Sequence, residues 1–143
     1  KGVDSTNRIT TATVAEKAGI KVIEKLYTHG KQIATTNFKV DLNGAESSAN
    51  IISRSVAADT SKQEFLLKMN GNNKCAGHSE CDAIILDNSS VSAIPEITAN
   101  CVDAELIHEA AIGKIAGDQL IKLMTLGLTE TEAEEQIISG FLK

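Results

Sequence analysis

A chain of 143 residues is the length of a single domain and long enough to bury a real core. Its formal net charge of −5 excludes general affinity for nucleic acid or anionic membrane surfaces. With aromatic residues at 3% and no Trp, the core must be built from Ile, Leu, Val and Ala, which suits stacked layers of small branched side chains.

In chain order, strands are predicted over Thr10–Glu16, Ile20–Tyr27, Ile33–Leu42, Asn50–Ala57, Gln63–Met69, Cys81–Leu86, Ala93–Ala99 and Ala104–Ile112. Turn chemistry separates them at Ala18-Gly19, His29-Gly30, Asn43-Gly44, Asn70-Gly71 and Asp87-Asn88-Ser89-Ser90. Val22, Ile23 and Leu26 also fit a helical period, but the β-branched residues and neighbouring turns favour a strand there. Strands at such short intervals suggest a sandwich, a barrel or a β-helix. The composition leans toward the β-helix, although no strict sequence period is visible.

The last 28 residues, 116–143, change character. Asp118 can cap a helix carrying Leu120, Ile121, Leu123 and Met124, stopped by Gly127. Thr129 and Glu132 then form a capping box. Ala133, Ile137 and Phe141 recur at i, i+4 and i+8, giving a second helix one apolar stripe. Two such short helices need the strand domain, each other or a partner to pack on. The expected division is therefore a strand core over 1–115 and a helical subdomain over 116–143.

No run approaches the ~18 apolar residues of a membrane-spanning helix. No basic start with an apolar stretch suggests a signal peptide, although a chain that starts at Lys1 rather than Met makes that weak guidance to location. Three cysteines (Cys75, Cys81, Cys101) form no disulfide framework, and a reducing, cytoplasmic setting is the simpler expectation.

Cys81 stands beside Asp82 at the head of an apolar strand, where a thiolate could accept sulfur or bind iron. A buried cysteine acting as a small hydrophobe is the commoner role for any single Cys. His108 and Glu109 are adjacent in a strand, so their side chains should point to opposite faces and cannot share one ion without a bulge. His29 and His78 fall near glycines in predicted loops and read as surface residues. Cys75-x-x-His78-x-x-Cys81 lacks a fourth ligand of matching pattern for a structural zinc site. There is no Gly-rich phosphate loop, nucleophile elbow or His-Glu-x-x-His helix, so the chain is expected not to be an enzyme and to bind no nucleotide itself.

Several segments taken in order resemble one family. Gly77-His78-Ser79-Glu80-Cys81-Asp82-Ala83-Ile84-Ile85-Leu86, Ile94-Pro95-Glu96-Ile97, His108-to-Ile115, Asp118-Gln119-Leu120, Leu123-Met124 and Gly127-to-Phe141 are similar to the C-terminal half of the SufB/SufD scaffolds of iron–sulfur cluster assembly. Ile52-Ser53-Arg54-Ser55-Val56 and Asp41-to-Glu46 fit that family's earlier strands, so the likeness covers roughly residues 12–142.

The resemblance implies a mainly β fold, a right-handed parallel β-helix followed by a small C-terminal helical subdomain. It implies a scaffold subunit of the SUF system that holds a transient iron–sulfur cluster at the interface with a second SufB/SufD-type subunit, as a homo- or heterodimer. Cys81, His108 and Glu109 match the cluster or sulfur site of that interface. A SufC-type ABC ATPase would dock on the C-terminal helices, through Gln119, Leu123, Met124, Thr129, Glu132, Ile137 and Phe141. Having both Cys81 and Glu109 favours the SufB-like side of the family. The alternative is a SufD-like structural partner that supports the complex without holding the cluster. An unrelated polysaccharide-processing β-helix is disfavoured by the shortage of aromatics.

The departures are Leu126, where the family usually has Arg before Gly127, and Ile121-Lys122 in place of an aromatic pair. The ATPase contact is therefore expected to differ in detail. The family's N-terminal helical region and first rungs are unaccounted for, which fits either a fragment or a naturally short member.

Overall fold

A computed structural model describes residues 2–143. Eight strands are followed by two helices: β1 Ser5–Val14, β2 Gly19–Thr28, β3 Ile33–Leu42, β4 Ser47–Ala57, β5 Lys62–Gly71, β6 Cys75–Ile85, β7 Ser90–Ala99, β8 Ala104–Gly113, α1 Gly117–Met124 and α2 Glu130–Phe141. Odd strands form one parallel sheet in the order β1-β3-β5-β7, and even strands form a second in the order β2-β4-β6-β8. The chain thus winds as a β-solenoid of about four turns with two C-terminal helices. Each turn advances 28 or 29 residues: Ser5 pairs with Ile33, Ile33 with Lys62, and Lys62 with Ser90.

Alternation within each strand sends one set of side chains into the lumen between the sheets. From β3 these are Ala34, Thr36, Phe38, Val40 and Leu42, and all five are buried. Phe38 and Phe65 meet there with ring centroids 5.9 Å apart. The lumen is not uniformly apolar. Val40, Leu42, Ile51 and Met69 fill one side, while Glu24, Thr28, Thr36, Ser53, Ser55, Ser61 and Gln63 are buried polar residues. Several of these groups are hydrogen-bonded: Thr28 and Ser61 hydroxyls lie 2.9 Å apart, and Gln63 Nε2 donates to Thr28 Oγ1 and the Val56 carbonyl, both at 2.8 Å.

Stacked side chains also hold the corners. Gly30, Asp59 and Asp87 take left-handed φ values of 61°, 58° and 53° at equivalent places in successive turns. Asp59 Oδ2 accepts from the Gly30 N–H at 2.6 Å, and Asp87 Oδ2 from the Asp59 N–H at 2.9 Å. Those bonds offset the cost of αL geometry in a residue with a Cβ. At the other corner, Asn72 Nδ2 donates to Asn43 Oδ1 and Asn100 Nδ2 to Asn72 Oδ1, each at 2.7 Å.

Five sequence expectations need correction. The strand predicted over Cys81–Leu86 is only the second half of β6, and His78 sits in that strand rather than in a loop. Asn70-Gly71 is the end of β5, not a turn. The strand predicted from Thr10 to Glu16 starts earlier, at Ser5, and ends at Val14. Asp118 is not the N-cap of α1; Ala116 is, without a side-chain cap, and Asp118 lies in the first turn near the positive end of the helix dipole. Gly127 does adopt the left-handed conformation, with φ of 98°. The Thr129–Glu132 capping box is also present: Thr129 N–H donates to Glu132 Oε2 at 2.8 Å, and Glu132 N–H to Thr129 Oγ1 at 3.3 Å. Lys25 Nζ donates to the Lys143 carbonyl, which ties the chain end to β2.

Candidate functional site

The parallel register of β6 and β8 decides which chemical groups meet. Ser79 pairs with His108, Glu80 with Glu109, and Cys81 with Ala110. Alternation then places Ser79, Cys81 and His108 on the lumen side and His78, Glu80, Asp82 and Glu109 on the outer side. The burial pattern agrees: Ser79 is 0% and Cys81 1% exposed, whereas Glu109 is exposed. His108 and Glu109 therefore face opposite sides, as expected of adjacent strand residues.

Inside the lumen, Cys81 stacks on Ser53 of β4, and Ser53 stacks on Glu24 of β2. The Glu24 carboxylate is buried and accepts from Arg8, from Thr36 Oγ1 at 2.8 Å and from Ser53 Oγ at 3.2 Å. A void of about 10 Å³, room for about one water, is lined by Glu24, Thr36, Ser53, Gln63 and Cys81 among others. Burial, then the Asp82 charge, then Glu24 push the Cys81 thiol up to about 11. At neutral pH Cys81 is a protonated thiol and a poor nucleophile until a positive charge or metal comes close. Cys75 is also raised, chiefly by burial. His108 is lowered by burial and by His78, so it is held neutral, the form that can ligate a metal.

On the outer side, His78 Nε2 lies 3.0 Å from Glu109 Oε2, and its Nδ1 lies 3.4 Å from Asn50 Oδ1. Arg54 approaches Glu80 at 3.5 Å. Burial, followed by a hydrogen bond and charge from Glu80, raises the Asp82 carboxyl. Among the described residues, no three His, Cys, Asp or Glu side chains converge closely enough to hold a metal ion. Cys81 and His108 share the lumen, and Glu109 is separated from them by the sheet. In this one chain Cys81, His108 and Glu109 therefore do not face a common ion.

β8 is also the last strand of its sheet, so one edge has backbone groups with no strand to pair with. A family model described as the SufBD core domain of SUF-system FeS cluster assembly matches residues 2–141. The chain belongs to the SufBD family. It is 36% identical over 144 residues to the iron-sulfur cluster assembly SufBD family protein of Methanocaldococcus jannaschii, covering 99% of this chain and 46% of that protein. It is 40% identical over 106 residues to its namesake in Methanothermobacter thermautotrophicus, covering 73% and 26%. The Staphylococcus saprophyticus member is 33% identical over 116 residues, covering 78% and 25%. The chain thus spans less than half the length of these SufBD relatives.

The residues expected to meet an ATPase divide by exposure. Gln119, Met124, Thr129 and Glu132 are exposed, while Leu123, Ile137 and Phe141 are half-buried. Ile121 at 63% and Leu126 at 76% are the more available apolar side chains, and the sequence reading placed neither among the residues that meet the ATPase. It also missed His78 as the partner of Glu109, and Arg8 and Glu24 as the charged pair beneath Cys81. The Glu24 signal was present as a lone carboxylate in the inward column of β2, among Ile20, Val22, Leu26 and Thr28.

Proposed function

We propose that this SufBD chain is a non-enzymatic scaffold of the SUF system, on which an iron–sulfur cluster is assembled where β8 meets a second SufB/SufD-type subunit. The carrying observation is the placement of Cys81 on β6 and His108 on β8 in one lumen, where the sheet ends in an edge strand that also carries Glu109. The cluster is cargo, and Cys81 supplies sulfur acceptance or ligation once the thiol loses its proton. A SufC-type ATPase docks on α1 and α2, where Ile121, Met124 and Leu126 offer apolar surface. The setting is the cytoplasm; no helix is long and apolar enough to cross a membrane among the described residues.

The test is anaerobic reconstitution of the chain with its partner subunit, iron and sulfide. A visible chromophore and bound iron are expected with the wild type and lost with Cys81→Ser; equal iron in both removes Cys81 from the site. A second reading, a SufD-like structural partner, is favoured by the raised pKa of Cys81 and by the lack of three converging donors among the described residues. Under it, Cys81→Ser leaves iron content unchanged while the complex still forms. Docking is tested separately: Ile121→Asp with Met124→Asp should abolish ATPase co-purification without changing the β-sheet circular dichroism, and undiminished co-purification rejects α1 as the contact.

A further inference from the structure

Two enclosed polar atoms on neighbouring strands lack hydrogen-bond partners, Ser79 Oγ and His108 Nδ1. They belong to residues paired in register, both on the lumen side, and Ser79 is 0% exposed. Register neighbours in a sheet lie about 4.8 Å apart, so the two side chains stand next to each other. The other surroundings of Ser79 offer little. Its neighbour on β4 is Ile51, and the flanking lumen residues of β6 are Gly77 and Cys81. The remaining enclosed atoms without partners, Ser47 Oγ and Arg54 Nε, belong to other columns, and Arg54 faces outward.

An enclosed hydroxyl and an enclosed imidazole nitrogen left unsatisfied would each carry a desolvation cost. One hydrogen bond removes both. Its direction follows from counting donors. If Nδ1–H donated to the hydroxyl, the Ser79 O–H would itself need an acceptor, and none surrounds it. If the hydroxyl donates to Nδ1, both enclosed atoms gain a partner and only a spare hydroxyl lone pair remains, the cheaper deficit.

We propose that Ser79 is the positioning residue of His108: its hydroxyl donates to Nδ1, directly or through one enclosed water, and holds the ring proton on Nε2. This orients the imidazole in the lumen of the last turn, on the strand next to the one that carries Cys81. A hydroxyl can also accept, so the same pair survives the reversed tautomer that a metal on Nε2 demands. The functional meaning rests on the scaffold reading, but the bond itself is tested without iron.

The experiment uses the metal-free full chain with nitrogen-15-labelled histidine at about pH 8, above the ordinary imidazole range. Two-bond proton–nitrogen correlation reads the tautomer, and His108→Gln assigns the signal. Wild type should show His108 with unprotonated Nδ1 and protonated Nε2. Ser79→Ala should reduce the ratio of that tautomer to the other roughly three- to tenfold, and Ser79→Thr should restore it. His29 and His78, which Ser79 does not face, should not change. Protonated Nδ1 in the wild type overturns the proposal, and so does an unchanged ratio in Ser79→Ala. If Ser79→Ala fails to fold, the wild-type tautomer still decides. Loss of iron binding by Cys81→Ser is independent of all these outcomes, so the two readings fail separately.

Discussion

Cys81 is kept protonated by its surroundings. Burial removes water from the thiolate, and the Asp82 and Glu24 carboxylates oppose a further negative charge. The folded pKa of about 11 stands above the ordinary 9.0, so the folded chain holds this proton more tightly than the unfolded one. The stability this supplies is complete below about pH 9 and is lost as pH rises toward 11. Denaturant midpoints of the wild type should therefore fall across that interval. Cys81→Ala should flatten the fall, leaving the smaller part due to Cys75, which burial shifts the same way. An alkaline slope identical in Cys81→Ala and wild type would show that the thiol does not feel this environment. The same desolvation leaves Cys81 a protonated, weakly nucleophilic thiol at neutral pH.

At the scale of the element, β6 shows how tertiary pairing overrides local preference. Cys75-Ala76-Gly77-His78-Ser79-Glu80 has no β-branched residue, so propensity reads it as a loop. It is a strand because β4 and β8 pair with it on both sides. Gly77 is required there: a Cβ would lie 2.6 Å from Leu106 Cδ2 and press on the Met69 sulfur. Gly77→Ala should cost about 1–3 kcal/mol by overpacking, read as a lower midpoint in urea, and no loss of stability would mean that the lumen has slack. The 28- or 29-residue turn was legible only in part. Asn43, Asn72 and Asn100, and likewise Asp59 and Asp87, recur at that spacing, yet so few marked positions do not announce a period before the register is known. The opposite faces of His108 and Glu109 could be read from strand alternation alone. Which of them faced inward could not, nor could the contact of Glu109 with His78, because both depend on how β6 and β8 align.

The solenoid as a whole behaves as a stack in which each turn touches only its neighbours. β3, β4, β5 and β6 are paired on both sides, while β1, β2, β7 and β8 are paired on one. The lumen follows this gradient: Leu42 and Met69 are 0% exposed, but Ala104 and Leu106 on the last turn are only partly buried. Local opening should therefore need least free energy at the two ends. Amide hydrogen exchange of the isolated chain should be slowest in β4 and β5 and faster in β8, where His108 and Glu109 lie. Binding of a second SufB/SufD-type subunit should slow exchange in β8 and leave β1 and β2 unchanged, because only the final turn joins the candidate site to an open edge. If saturating partner leaves β8 exchange unaltered, the intersubunit contact runs elsewhere, and Glu109 and His108 cannot be completed from across it. A slowing confined to β8 would instead explain why the strand bearing His108 and Glu109 is less enclosed than the one bearing Cys81: its second neighbour is supplied on assembly.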